Sequence, residues 1–90
     1  MKPLVSVICI AYNHAPYVQE ALHSLFEQTY APLEIIVLDD ASKDNSVENI
    51  ERAIEGRSVK TVFHTSNRGY TKTFNQGLAM STGQYIIDFA

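Results

Sequence analysis

Ninety residues, 46% apolar and 19% charged, suit one small globular domain and lack the low hydrophobicity and high charge that keep chains disordered. Seven basic residues against ten acidic ones leave a net charge of −3, and Lys2, Lys43, Arg52, Arg57, Lys60, Arg68 and Lys72 are scattered, which excludes nucleic-acid binding by charge alone. A bound anion such as a diphosphate must then be met by a metal, by backbone N–H groups or by a few local cations.

Residues 4–11 (Leu-Val-Ser-Val-Ile-Cys-Ile-Ala) form a nearly continuous apolar run of strand length, rich in β-branched side chains, and predict a strand covered on both faces. The single Cys9 lies inside this run, where a buried thiol is expected and no internal disulfide is possible. Residues 1–13 are too briefly apolar for a membrane span and carry no cleavage pattern, so the cytoplasm is the default location. After a polar break, Val18, Ala21, Leu22, Leu25 and Phe26 repeat at helical spacing. Asn13 and Pro16 mark the start of that helix, with Asn13 expected as its cap, and Pro32 lies past its end.

A second apolar run, residues 34–38, stops abruptly at Asp39 and Asp40. Val47, Ile50, Ala53 and Ile54 then give a short helical stripe closed by Gly56, with Asn45 and Glu48 at capping-box spacing. Residues 59–64 alternate as a third strand, and residues 65–69 form a polar loop. Residues 70–80 are weaker helix material, because Thr71 and Thr73 are poor helix formers, although Phe74 and Leu78 share a face. Gly83 breaks the chain and residues 84–89 restart a strand. The order β-α-β-α-β-α-β, with connections long enough for right-handed crossovers, predicts an α/β class with a parallel sheet of about four strands and flanking helices. No domain boundary falls within residues 1–90, and a chain ending on a strand reads as a truncated domain.

Ligands of an open parallel sheet bind outside the carboxyl ends of its strands. Here those ends carry Ala11, Tyr12 and Asn13, then Asp39 to Ser42, then residues 65–69, all expected on one rim. A tyrosine there can stack on a base, and a carboxylate can accept from a base N–H or ribose hydroxyls. Spacing alone favours a strand-end turn in which one carboxylate caps the next loop or helix. Neither GxGxxG nor GxxxxGK occurs, which disfavours a dinucleotide or P-loop site. A phosphoacceptor receiver module would need an Asp after the third strand, where His64-Thr65-Ser66-Asn67 stands instead. His14, His23 and His64 show no ligand spacing, and surface or capping roles are expected for them.

The strings Val-Ser-Val-Ile-Cys-Ile-Ala-Tyr-Asn-His at 5–14, Ser-Leu-Phe-Glu-Gln-Thr-Tyr at 24–30 and Glu-Ile-Ile-Val-Leu-Asp-Asp-Ala-Ser-Lys-Asp-Asn-Ser at 34–46 together resemble the family 2 glycosyltransferases. Asn67-Arg-Gly69, Asn75-Gln-Gly77 and Ser81-Thr-Gly-Gln-Tyr-Ile-Ile87 match in the expected order, so the resemblance spans essentially the whole chain. It implies the N-terminal, nucleotide-sugar-binding half of a GT-A domain, in a protein that moves a sugar from a UDP-type donor to an acceptor hydroxyl. By the same resemblance Ile10, Ala11 and Tyr12 line the base, with Tyr12 stacked on it, and Asp40 accepts from the uracil N–H. Asp39 acts beside it on the nucleoside or the loop, and Ser42 and Asp44 order the turn.

Many relatives carry Ala-Arg-Asn where this chain has Thr73-Phe74-Asn75, so the usual arginine is replaced by an aromatic. Lys72 is the nearby candidate for a charge toward the diphosphate, against the alternative of a solvated helix-surface lysine. The family's acidic motif for Mg²⁺ or Mn²⁺ would begin near Ala90, with its ligands beyond residue 90, and Asp88 is a poor substitute. The catalytic base of inverting members is likewise expected outside this chain, which alone should bind nucleotide weakly and turn over no sugar. The implied partners are the nucleotide-sugar donor and a glycan or lipid-linked acceptor, as in surface polysaccharide synthesis. A noncatalytic remnant of the same fold is the alternative.

Overall fold

In a computed structural model, which describes residues 2–28 and 30–89, the chain folds as β1 (Val5–Ala11), α1 (Ala15–Phe26), β2 (Leu33–Asp39), α2 (Ser46–Ile54), β3 (Lys60–Phe63), α3 (Tyr70–Met80) and β4 (Tyr85–Phe89). All pairings are parallel and the strand order is β3-β2-β1-β4. The alternation and parallel sheet match the expected α/β class. β1 steps to β2 and β2 to β3 in one direction, and the next connection returns past both to place β4 on the far side of β1. Right-handed crossovers put helices from opposite stepping directions on opposite faces. α1 and α2 therefore cover one face and α3 the other.

The two faces divide the side chains of each strand by their period of two. Cys9, Ala11 and Val37 pack with Val18 and Leu22 of α1 and with Ile50 and Ala53 of α2. Ile8, Ile36 and Leu38 pack on the opposite side against Phe74 and Met80 of α3. The continuous apolar run of β1 thus has its cause, since Val7, Ile8, Cys9 and Ala11 are all buried. Gly77 explains how the weak helix α3 holds its place. A Cβ at this position would lie 2.8 Å from Ile8 Cγ2 and 3.0 Å from Leu38 Cδ1, so only glycine lets the helix axis approach the sheet so closely.

At the amino ends of the strands, Glu34 joins four elements. Its carboxylate accepts from Ser6 Oγ (2.7 Å), Lys60 Nζ (2.7 Å), Thr82 N (2.8 Å) and Thr82 Oγ1 (2.9 Å). The bonds from Lys60 and Ser6, followed by those from Thr82, outweigh partial burial and hold the carboxyl down at about 2.

Helix capping differs from the sequence expectation. The residue at the N-cap of α1 is His14, not Asn13, and neither His14 nor Asn45 caps its helix through the side chain. Asp44 serves both helices instead, since Oδ2 accepts from Ala15 N (3.1 Å) and Oδ1 from Ser46 N (2.9 Å). The physical reason is tertiary: α1 and α2 lie side by side, so one carboxylate between their starts reaches orphan donors of both.

Candidate functional site at the carboxyl rim

The rim is built where β1, β2 and β3 end together, because Ala11 pairs with Asp39 and Asp39 with Phe63. Past those ends the backbone turns sharply. Asn13 and Ala41 both adopt left-handed conformations, at φ 54° and 61°. Non-glycine residues in this region cost about 1 kcal/mol or more and persist where surrounding bonds over-determine them. Those bonds are present: Asn13 N donates to Ser42 Oγ (2.9 Å), and Lys43 N donates to Asn13 Oδ1 (2.8 Å). The Asn13 side chain therefore ties the first loop to the second.

Asp39 is fully buried and acts on that loop, with Oδ2 accepting from Ser42 N (2.8 Å) and Oδ1 from Ser42 Oγ (2.5 Å). Asp40 is 3% exposed and gathers the third loop. Its Oδ1 accepts from Arg68 N (2.8 Å) and faces His64 Nδ1 at 2.9 Å, while Oδ2 accepts from Gly69 N (2.9 Å). Burial by itself would push the Asp40 carboxyl up. The His64 ring and the Arg68 and Gly69 amides outweigh it, so the group stays below the usual carboxylate range and is charged at neutral pH.

Tyr12 is 42% exposed and stands between two clefts. The first, of about 310 Å³, lies at the switch point between β1 and β4 and is lined by Ile10, Tyr12, Asp40, Gly69, Tyr70 and Phe89 among others. The second, of about 370 Å³, runs along Tyr12, Ser42, Lys43, His64, Ser66 and Asn67. Of the remaining residues expected at the site, Ala11 turns its side chain into the core and presents its carbonyl oxygen to Asp40 N (2.9 Å). Lys72 is exposed on α3, two residues past Tyr70.

His64 departs from the surface or capping role expected of it. It is buried, with Nδ1 on Asp40 and Nε2 2.5 Å from Gln76 Oε1, because the β2–β3 register brings the first residue after β3 beside Asp40. His64, Gln76 and Tyr70 were not legible as site residues. The only sequence signal for His64 is a polar residue at a strand end, which carries no information until strand order is known. Asp88 is exposed on β4 and accepts a hydrogen bond from the Tyr70 hydroxyl, whose pKa that bond and the Asp88 charge push up. No cluster of three or more His, Cys, Asp or Glu side chains suited to a metal occurs among the described residues. Ala90, where the family's first metal acid is expected, lies outside the described residues. Among the described residues no helix is long and apolar enough to cross a membrane.

Residues 6–88 match the family model described as glycosyl transferase family 2. An uncharacterised glycosyltransferase of Haemophilus influenzae is 38% identical over 85 residues, covering 93% of this chain and 26% of that protein. Glycosyltransferase GlyG of Streptococcus pneumoniae is 34% identical over 87 residues, covering 96% of this chain and 29% of that protein. Among solved structures, the mannosyltransferase PcManGT from Pyrobaculum calidifontis, in complex with GDP-Man and Mn²⁺, superimposes with a TM-score of 0.88 at 33% identity, over 96% of this chain and 26% of its own. S. aureus TarS in complex with UDP-GlcNAc superimposes with a TM-score of 0.82 at 30% identity, over 96% of this chain and 25% of its own. The chain thus spans about a quarter of the length of these relatives.

Proposed function

Because the chain belongs to glycosyl transferase family 2 and carries the sheet of the GT-A fold, we propose that its rim is the nucleotide-recognition part of a transferase that uses a nucleoside-diphosphate sugar, with UDP as the nucleotide. The observation that carries this reading is the position of Tyr12, an exposed ring between two clefts at the switch point, beside a buried charged carboxylate.

Each side chain then has a task set by its chemistry. Tyr12 offers a face on which a base stacks, and Ile10 supplies apolar surface beneath it. Asp40 already accepts two donors on Oδ1 and one on Oδ2, so the second lone pair of Oδ2 is left for a uracil N–H. Asp39 acts indirectly, by shaping the Ser42 turn that borders the second cleft. Ala11 contributes backbone only. Lys72, exposed on α3 and lining neither cleft, is proposed as the local cation for the diphosphate. No side-chain cluster among the described residues fits Mg²⁺ or Mn²⁺, and the metal's ligands are proposed to lie outside these ninety residues. The same holds for the carboxylate base that would deprotonate an acceptor hydroxyl for displacement with inversion. The acceptor is proposed to be a glycan or lipid-linked saccharide of a surface polymer, met in the cytoplasm beside a membrane.

Titration with UDP, followed by NMR amide shifts, tests the reading, with GDP as the competing nucleotide and Asp40→Ala as the control. Saturable shifts in the Tyr12, Gly69 and Tyr70 amides are expected with UDP, weaker ones with GDP, and none in the variant. No UDP-dependent shift at millimolar ligand, or equal shifts in both proteins, would remove Asp40 as a base contact.

A further inference from the structure

We infer that Gln76 and His64 form a positioning relay for the rim, in which Gln76 on α3 fixes the His64 ring and the ring fixes the carboxylate of Asp40. The inference rests on the nucleotide reading of the clefts and extends it to an amide that lines neither of them.

The geometry has three links. His64 and Asp40 expose only 3% and 4% of their side chains, and Nδ1 meets Oδ1 at 2.9 Å. On the other side of the ring, Nε2 meets the Gln76 amide at 2.5 Å. The backbone of His64 is itself pinned, since its N–H donates to Asp39 O (2.9 Å). Both ring nitrogens are thus occupied and the ring has one orientation. Proton bookkeeping leaves the key bond intact in either protonation state. A neutral ring donates Nδ1–H to Asp40 and accepts at Nε2 from the Gln76 NH₂ after rotation of that amide, whereas a doubly protonated ring donates to both oxygens.

The relay has an anchor and an output. The anchor is Gly77, next to Gln76, whose close approach to Ile8 and Leu38 prevents α3 from shifting against the sheet. The output is the pair of amides that Asp40 holds. Arg68 N and Gly69 N both donate to its carboxylate, and Gly69 (φ 90°) is the N-cap from which α3 and Tyr70 start. One carboxylate orientation therefore sets a wall of the first cleft through Gly69 and Tyr70. The backbone carbonyl of Asp40, not its carboxylate, holds a wall of the second cleft, accepting from Asn67 Nδ2 (3.3 Å). A packing role for His64 alone would not require the α3 amide or the charged partner.

The test compares Gln76→Leu, His64→Asn and His64→Leu with the unchanged protein. Folding is checked by thermal melts, the rim by the free-state NMR shifts of the Arg68 and Gly69 amides, and binding by calorimetry with UDP. Asparagine places an N–H close to the position of Nδ1, so His64→Asn keeps the bond to Asp40 and drops the link to Gln76. Gln76→Leu should move the Arg68 and Gly69 amides before any ligand is added and weaken UDP about fivefold, the loss of one hydrogen bond's worth of positioning. His64→Leu should weaken UDP by more than tenfold, and His64→Asn should recover most of that loss. Arg68 and Gly69 amides unmoved by Gln76→Leu, or His64→Asn binding no better than His64→Leu, would overturn the relay. Moved amides in Gln76→Leu together with no saturable UDP binding in the unchanged protein would instead overturn the nucleotide reading and leave the relay's geometry standing.

Discussion

Replacing Glu34 with glutamine isolates the junction at the amino ends of the strands. The carboxylate accepts four hydrogen bonds from three residues on separate parts of the chain, and its side chain is only 12% exposed. A carboxyl held at about 2 against an ordinary 4.5 corresponds to about 3 kcal/mol of preference for the charged form in the folded state. The Lys60 share is discounted because that ammonium is 47% exposed and screened by solvent, which leaves about 2 kcal/mol.

The folded value is depressed, so the stabilisation is complete above the unfolded value of 4.5 and is lost as pH falls through the folded value of about 2. Glutamine does not titrate. Urea unfolding followed by far-ultraviolet circular dichroism should therefore show Glu34→Gln weaker by about 2 kcal/mol at neutral pH, a lowering of the melting point on the order of 10 °C for a domain of this size. The gap should close between about pH 5 and about pH 2 as the native glutamate is protonated. Lys60→Met should lower stability by less than about 1 kcal/mol, since it removes only the exposed partner. A gap between Glu34→Gln and the unchanged protein that stays constant down to about pH 2 would mean that the charge of Glu34 does not stabilise the junction.

Three further outcomes follow from packing and exposure. Gly83→Ala should destabilise by about 3 kcal/mol, because its Cβ would fall 2.7 Å from Ser6 N and 2.9 Å from Leu4 O, backbone atoms that cannot yield. Gly77→Ala would bring its Cβ to 2.8 Å from Ile8 Cγ2 and 3.0 Å from Leu38 Cδ1, so it should also destabilise, but by less, because side-chain atoms can shift and alanine gains helix propensity; thermal melts in the reverse order would contradict the contact geometry. Tyr12→Ala should weaken UDP about tenfold by calorimetry with an unchanged melting point, since the ring is 42% exposed and its stacking face is the part lost. Burial, with the Asp88 charge adding to it, pushes the Cys9 thiol up to about 11. A thiol-reactive dye at neutral pH should accordingly leave the folded protein unlabelled and modify it in urea, and rapid labelling of the native state would place Cys9 at the surface.

The local code was legible wherever one element decides its own structure. The apolar run before Ala11 and the spacing from Val18 to Phe26 each specify an element, because a buried strand and an amphipathic helix are written into consecutive residues. The arrest of an apolar strand at Asp39 and Asp40 likewise announced a polar rim, and the order of motifs along the chain announced the family. The bonds from Ser42, three residues on, to Asp39 are the strand-end turn that the spacing offered. What Asp40 does was not legible, because its donors Arg68 and Gly69 lie 28 and 29 residues further along. Capping by Asp44 in place of Asn13, and the burial of His64 between Asp40 and Gln76, depend in the same way on neighbours brought together by strand order. A side chain's periodicity is a property of its own segment. Its hydrogen-bond partners are a property of the register between segments, and only the folded sheet, with β3 beside β2 and β4 beside β1, decided those.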